Sequence, residues 1–167
     1  MIRSLFEWVD AMPSSIAIRE SVFGYPYLLT AHAVSMALFA GLVIMMDLRL
    51  LGWAYKRTPL SQVQKQLFPW QMFTMVASSI TGAVLLYGQP LRYYGKVFFW
   101  TKMVLMVFAG LNALYFHYTT YKSVAAWDIS ERPPFGAKLA GALSIALWFG
   151  VVIFGRITAY NWMTFSR

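Results

Sequence analysis

The sequence predicts an all-α fold: an integral membrane antiparallel four-helix bundle with an amphipathic interfacial helix at its N-terminus. Four apolar stretches carry this prediction, at about 26–48, 68–88, 97–119 and 138–160. Each can cross a hydrocarbon core about 30 Å thick, for which an α-helix needs about 20 apolar residues. Only 12% of the 167 residues are charged, about half the share usual in soluble domains. The connections are too short to fold separately, so residues 1–167 are predicted to form a single membrane domain.

The beginning of the chain, residues 1–25, is predicted to be an arm in the membrane interface. Within residues 2–12 the charged side chains fall on one side of a helix, and four apolar side chains share the other side: Leu5, Trp8, Val9 and Met12. This division is typical of a helix that lies flat on a membrane. Pro13 ends that helix, and Ser14 or Ser15 is predicted to cap a second short one.

The four spans are bounded by residues that start or stop helices. Pro26 suits the first turn of span one, where its missing N–H costs nothing, and Gly52 is predicted to stop that helix. Pro59 breaks the connection that follows, and Pro69 is predicted to open span two. Small residues recur in all four spans and allow helices to approach closely in lipid. Because the connections are short, neighbouring spans are predicted to be antiparallel.

The charge of the chain points to lipid as its partner. The formal net charge is +8, but most basic residues lie in connections beside the spans, where anionic headgroups explain them without nucleic acid. The absence of cysteine excludes disulfides, iron–sulfur clusters and thiolate zinc sites. No soluble-enzyme motif is present and no catalytic residue is predicted. The expected partners are the bilayer and other membrane or periplasmic subunits, or further copies of this chain.

The basic residues also bear on orientation, because four spans place both chain termini on one side of the membrane. Outside the spans, that side holds five basic residues: Arg3, Arg19, Arg92, Lys96 and Arg167. The opposite side holds seven: Arg49, Lys56, Arg57, Lys65, Lys122, Arg132 and Lys138. Since cytoplasmic connections carry an excess of Lys and Arg, this distribution favours extracytoplasmic termini. Counting the embedded Lys102 and Arg156 makes the two sides equal, so the preference is small.

Ionisable residues inside a membrane are costly and therefore mark candidate sites. The spans contain four of them: His32, Lys102, Arg156 and His117. At about 1.5 Å per residue the first three lie within about 6–9 Å of the side that holds the termini, so we predict that they converge. His117 lies about 30 Å from that side. That depth excludes one haem ligated by both histidines, and we interpret His117 as interfacial.

The surroundings of His32 predict a cofactor site. Lys102 and Arg156 can neutralise haem propionates or a quinone headgroup. The candidate cofactor-binding residues are His32, Lys102, Arg156 and Tyr160, with haem b or a quinone as the ligand. The corresponding function is that of a redox-associated subunit that passes electrons to a partner.

Two other interpretations remain open at this point. Met36 lies one turn after His32, and Met103 and Met106 lie at nearly the same depth; thioethers with an imidazole suit Cu(I) or a His/Met-ligated haem. Alternatively, the methionines fill the core, the cations extend to the surface, and His32 only donates a hydrogen bond to the second span. The chain would then be a structural or assembly subunit without a cofactor.

At the other end of span one, Asp47 and Arg49 are predicted to have structural roles. Arg49 near a helix C-terminus interacts favourably with the helix dipole, whereas Asp47 does not. Asp47 therefore requires a cation, which we expect from Lys65 or His117 at that depth.

Several motifs resemble one family over essentially the whole chain. They are I-R-E-S at 18–21, Y-P at 25–26, His32, D-L-R-L-L-G at 47–52, W-x-K at 100–102 and G-R-x-x-A-Y at 155–160. Together they resemble a family of bacterial four-helix inner-membrane proteins of unknown function, and more distantly the membrane domain of copper-resistance D-type proteins. The resemblance implies a bacterial inner-membrane location, and it singles out His32, Lys102 and Arg156 as matching positions.

Overall fold

The computed structural model describes residues 2–130 and 132–160, so Arg167 lies outside the described residues. The elements in order are α1 (Ile2–Asp10), α2 (Pro13–Glu20), α3 (Gly24–Leu51), α4 (Leu60–Gly88), α5 (Pro90–Tyr94), α6 (Val97–Tyr118), a 3-10 helix (Thr120–Ala126) and α7 (Phe135–Ile157). Four of them, α3, α4, α6 and α7, are long and apolar enough to cross a membrane. The predicted all-α membrane fold is confirmed.

Helix α4 begins at Leu60, well before the predicted start at residue 68, and Pro69 lies inside it. The reason is a cap supplied by a distant part of the chain. The Asp128 carboxylate accepts hydrogen bonds from the Ser61 N–H at 2.7 Å and from its hydroxyl at 2.6 Å, and the Asp128 carbonyl accepts one from the Leu60 N–H at 3.1 Å. These bonds satisfy N–H groups that have no partner within the helix.

The prediction that Gly52 stops α3 is confirmed, whereas the prediction that Ser14 or Ser15 caps α2 is wrong. Gly52 ends α3 with a φ of 74° and a ψ of 23°, and its N–H bonds back to carbonyls of the last turn, as left-handed C-caps do. Neither serine caps α2, because Met12 occupies the cap position and makes no capping bond through its side chain. Instead, the Ser15 hydroxyl donates to the Tyr87 carbonyl at 2.8 Å and anchors the arm to α4.

The four long helices form a bundle that is open on one side. Helix α3 packs against α4 and α7, and α7 packs against α6, whereas α4 and α6 share no extensive contact among the described residues. We call the gap between them the α4/α6 seam. The closest approach of α3 and α7 is at Gly141, where a Cβ atom would lie 3.1 Å from the Asp47 carbonyl and 3.1 Å from the Leu50 Cβ. A small residue at this position therefore sets the spacing of the two helices.

The N-terminal arm lies across the end of α4. The Phe6 ring centroid is 5.0 Å from that of Tyr94 in α5, and Ile18 of α2 packs directly on Gly88. On the outer face of α1, Trp8 remains 62% exposed. An apolar face left open on an amphipathic helix is suited to the lipid interface.

Arg49 joins the connections at the opposite end of the bundle. It is 0% exposed and donates to the carbonyls of Thr58 at 3.0 Å, Asp128 at 2.9 Å and Ser130 at 3.5 Å. The buried side chains next to these connections form one apolar cluster: Leu50, Leu60 and Ala137. Arg49 and the cap from Asp128 thus hold the first and third connections together.

The close approach at Gly141 yields a test of helix spacing. Gly141→Leu should lower the midpoint of thermal unfolding in detergent, because the side chain would meet backbone and Cβ atoms that cannot move aside. Overpacking of this kind costs about 1–3 kcal/mol. Gly110→Leu is the matched control, since nothing lies within 4 Å of a Cβ there. Equal unfolding midpoints for the two variants would contradict the assigned packing.

The capping carboxylate yields a test by pH. Burial alone would raise the pKa of Asp128, but the bonds from Ser61 and the charge of Arg49 outweigh it and lower that pKa. The stabilisation is therefore fully present above the unfolded pKa of about 3.9 and is lost as the pH falls through the lower folded value. We expect the unfolding midpoint to fall on acidification below about pH 4, and to fall less in Asp128→Asn.

Glu7→Gln, which removes an exposed carboxylate on α1, is the control for the pH experiment and should keep the acid dependence of the parent. Identical acid profiles for the parent and Asp128→Asn would argue against the cap.

Candidate functional site

His32 is held in one orientation by the backbone of α4. Its Nδ1 lies 3.0 Å from the Ser78 carbonyl oxygen and 3.1 Å from the Thr81 hydroxyl oxygen. The Thr81 hydroxyl donates its own hydrogen to the Ala77 carbonyl at 2.8 Å, so both neighbours of Nδ1 are acceptors. Nδ1 therefore carries the ring hydrogen, and the neutral ring keeps a free lone pair on Nε2.

The imidazole rests on a glycine of α4. A Cβ atom on Gly82 would lie 3.0 Å from Cε1 of His32 and 3.4 Å from Nδ1. Any other residue at position 82 would push the ring away from the Ser78 carbonyl. The small residues of span two therefore matter for the site as well as for helix packing.

Lys102 approaches His32 from α6. Its Nζ and Cδ lie 3.5 Å from the position that a Cβ of Gly155 would take, so the side chain runs along α7. Its positive charge acts on the His32 imidazole. Of the other two residues predicted to converge with His32, Lys102 is the one whose charge reaches the imidazole, and their binding of a common ligand stays a prediction.

The third member of the predicted set, Arg156, is directed to the surface. Its side chain is exposed, and its guanidinium lies 5.9 Å above the centroid of the Tyr160 ring. Arg156 lies in the last turn of α7 and makes no contact with His32 among the hydrogen bonds and ion pairs of the described residues, so their shared role at a ligand stays a prediction. Arg156 and Tyr160 form a separate pair at that end.

Lys96 is the cation that sequence reasoning missed. It is only 3% exposed, and its ammonium donates to the carbonyls of Thr158 at 2.7 Å and Tyr160 at 3.4 Å, which caps the C-terminus of α7. Burial and the nearby charge of Arg92 lower the pKa of Lys96. From the sequence, Lys96 counted only as one of the basic residues outside the spans, and nothing in the local sequence indicates the distant helix end that it caps.

The methionines predicted as copper ligands differ in exposure. Met36 and Met106 are half-buried, whereas Met103 is 40% exposed. Within the described part of the chain, no group of three His, Cys, Asp or Glu side chains is arranged to hold a metal ion. His117 is exposed and stacks on Tyr121 with ring centroids 5.4 Å apart, in keeping with its interpretation as interfacial.

Asp47 and Arg49, although two residues apart, have different surroundings. The Arg49 guanidinium donates hydrogen bonds to carbonyls of the connections. Asp47 is 4% exposed and lies near the Ser144 hydroxyl of α7. Its predicted cation is not found: in residues 2–130 and 132–160 the ion pairs are Arg3–Glu7 and Arg19–Asp10, and neither Lys65 nor His117 pairs with it.

Four apolar helices and a polar site buried between them define a multi-pass membrane protein. The chain belongs to the family of unknown function DUF6644, whose sequence model matches residues 5–166. The resemblance to an uncharacterised family is therefore confirmed. No curated protein and no solved structure matches the chain.

Proposed function

We propose that this protein is a redox-associated subunit of the bacterial inner membrane that binds haem b or a quinone beside His32 and works with a partner protein. One observation carries the proposal. The Nδ1–H of His32 donates to the Ser78 carbonyl at 3.0 Å, which leaves Nε2 available as a ligand. Histidines that bind metals almost always donate their other N–H in this way, and the bond fixes both tautomer and ring orientation.

The surroundings of His32 favour a ligand that carries a carboxylate or another oxygen that accepts a hydrogen bond. Lys102 supplies a positive charge close to the imidazole, and an ammonium binds the carboxylate of a propionate or the oxygen of a quinone. The α4/α6 seam is the face of the bundle where α4 and α6 share no extensive contact among the described residues. His32 lies on α3 and bonds to Ser78 of α4, on one side of this seam. Lys102 lies on α6, on the other side.

Within this proposal the hydrogen-bonding pattern favours haem over a quinone. A quinone oxygen is a hydrogen-bond acceptor, and Nε2 in the assigned tautomer is also an acceptor. Iron, in contrast, requires a lone pair of this kind, and haem b supplies one-electron chemistry when it is bound. If haem were bound, Met36 and Met106, both half-buried, would be the candidate thioether ligands besides His32.

Two alternatives predict different results in the same experiment. A copper site would use His32, Met36 and Met106, and the exposure of Met103 weakens it. A structural or assembly subunit would need His32 only to tie α3 to α4 through Ser78. The half-buried ammonium of Lys102 next to the imidazole favours a ligand over this second alternative, because an unneeded charge at that depth is costly.

The test is the absorption spectrum of protein purified in detergent from haem-producing cells. We expect a Soret band that is lost in His32→Ala, because its ligand is removed. Gly82→Ala should weaken or shift the band, since the added Cβ displaces the ring. His117→Ala is the matched control, because this histidine is exposed at the far end of α6, and it should leave the band unchanged.

The other outcomes of that experiment are equally definite. A quinone in the organic extract without a Soret band would assign the site to the quinone. Copper in equimolar amount, lost in His32→Ala, would assign it to the metal. A colourless protein without quinone or copper would overturn the cofactor proposal in favour of the structural subunit.

We also propose that both chain termini face away from the cytoplasm. The absence of cysteine allows a clean labelling test with Arg3→Cys in the arm and Arg57→Cys in the first connection, both at exposed positions. In intact cells a membrane-impermeant maleimide should label the first variant and not the second, and lysis should expose both. Labelling of Arg57→Cys alone in intact cells would reverse the orientation.

A further inference from the structure

The carboxyl group of Asp47 has one of the two buried side-chain oxygens that lack a hydrogen-bond partner among the described residues. Asp47 is 4% exposed, and its Oδ2 is buried without a hydrogen-bond partner among the described residues. Removing an unpaired carboxylate from water costs several kcal/mol. Such a residue inside a membrane span is by default a functional one.

A second buried oxygen without a partner in the described ranges is the amide oxygen Oε1 of Gln64 in α4. Gln64 precedes Gln71 by seven residues and so lies on the same helix face. Gln71 faces α3, because its amide donates to the Leu42 carbonyl at 3.1 Å. Asp47 is five residues after Leu42, about 7.5 Å along α3. Gln64 is seven residues before Gln71, about 10.5 Å in the same direction because α4 is antiparallel to α3. The two unpartnered oxygens are therefore within about 3 Å of the same level.

Helix α7 completes the surroundings of Asp47. The backbone of α3 approaches α7 closely at Gly141, and the Ser144 hydroxyl, one turn further along α7, lies near the Asp47 carboxyl. Three helices thus bring a carboxylate, an amide oxygen and a hydroxyl to one level. All three are oxygen ligands of the kind that hard cations prefer.

Protein cations do not neutralise this carboxylate. No ion pair of Asp47 is present within the described ranges. Arg49, on the same helix, is directed to the carbonyls of Thr58, Asp128 and Ser130. On the neighbouring helices, Lys65 of α4 is exposed and Lys138 is in the first turn of α7. Within the described ranges, the negative charge of the Asp47 carboxylate is therefore not balanced by a cation of the protein.

We propose that Asp47, with Gln64 and Ser144, binds a monovalent cation inside the membrane, either Na⁺ or a proton. One bound Na⁺ would supply the missing charge and use the unpartnered oxygens as ligands. One bound proton would turn the carboxyl into a donor for a neighbouring acceptor. The hydrogen bonds of Arg49 lie just beyond the level of Asp47, between the proposed cation site and the connections.

This site is independent of the proposed cofactor site. Asp47 is fifteen residues after His32 on α3, about 22 Å along the helix axis. None of the residues that surround His32 takes part in it. A failure of the cofactor proposal would leave this one untouched, and the reverse also holds.

The first experiment measures thermal unfolding of the purified protein in choline chloride and after replacement of choline by Na⁺ at constant ionic strength. Binding to the folded state raises the unfolding midpoint as the free cation concentration exceeds its dissociation constant. We expect a saturating rise in the parent that is lost in Asp47→Asn and requires more Na⁺ in Ser144→Ala. Asp128→Asn and His32→Ala are the controls and should keep the response.

The second experiment distinguishes a proton from Na⁺. If Na⁺ has no effect, the infrared spectrum of the parent at neutral pH should contain the C=O stretching band of a protonated carboxylic acid. The chain has only six acidic residues, so the band can be assigned by its loss in Asp47→Asn. It should persist in Asp128→Asn.

The parent protein provides a decisive result even if Asp47→Asn does not fold. A parent with neither a response to Na⁺ nor a protonated carboxyl band at neutral pH would overturn the proposal. The proposal is also overturned if either signal survives unchanged in a folded Asp47→Asn variant.

Discussion

Hydrogen bonds from polar side chains to backbone carbonyls of neighbouring elements hold this bundle together. In a bilayer no water is available to replace a missing partner, so a polar group between helices has to find one within the protein. Several side chains of the described residues do so across elements. Among them, Ser15, His32, Gln71, Lys96 and Asn112 bond to carbonyls of Tyr87, Ser78, Leu42, Thr158 and Ala140. Each bond also fixes the register of two elements that apolar contacts alone would leave free to slide.

The two candidate sites are places where a polar side chain between helices has an atom without a hydrogen-bond partner among the described residues. At His32, the bond to Ser78 uses one ring nitrogen and leaves the other as a ligand. At Asp47, an oxygen remains without a partner among the described residues at the contact of α3 and α7. The two sites lie near opposite ends of α3, which contacts both α4 and α7.

Much of the architecture was predictable from local pattern. The four apolar stretches predicted the spans, and Gly52 marked a helix end. The errors have a common cause. Leu60 begins a helix because Asp128 caps it, and Lys96 is buried because it caps α7. Both partners are distant in sequence, so no local pattern indicates them. Arg156, for which the sequence predicts a similar depth, is exposed in the last turn of α7.

The sequence by itself determined the class of the protein, its four spans and the depth of each ionisable residue, because hydropathy and helical rise depend only on the order of residues. The tertiary structure decided which of those residues meet. Helix rotation and register depend on where small residues such as Gly82 and Gly141 allow close approach, and on which carbonyl each polar side chain reaches. These are properties of pairs of helices, and a single span does not contain them.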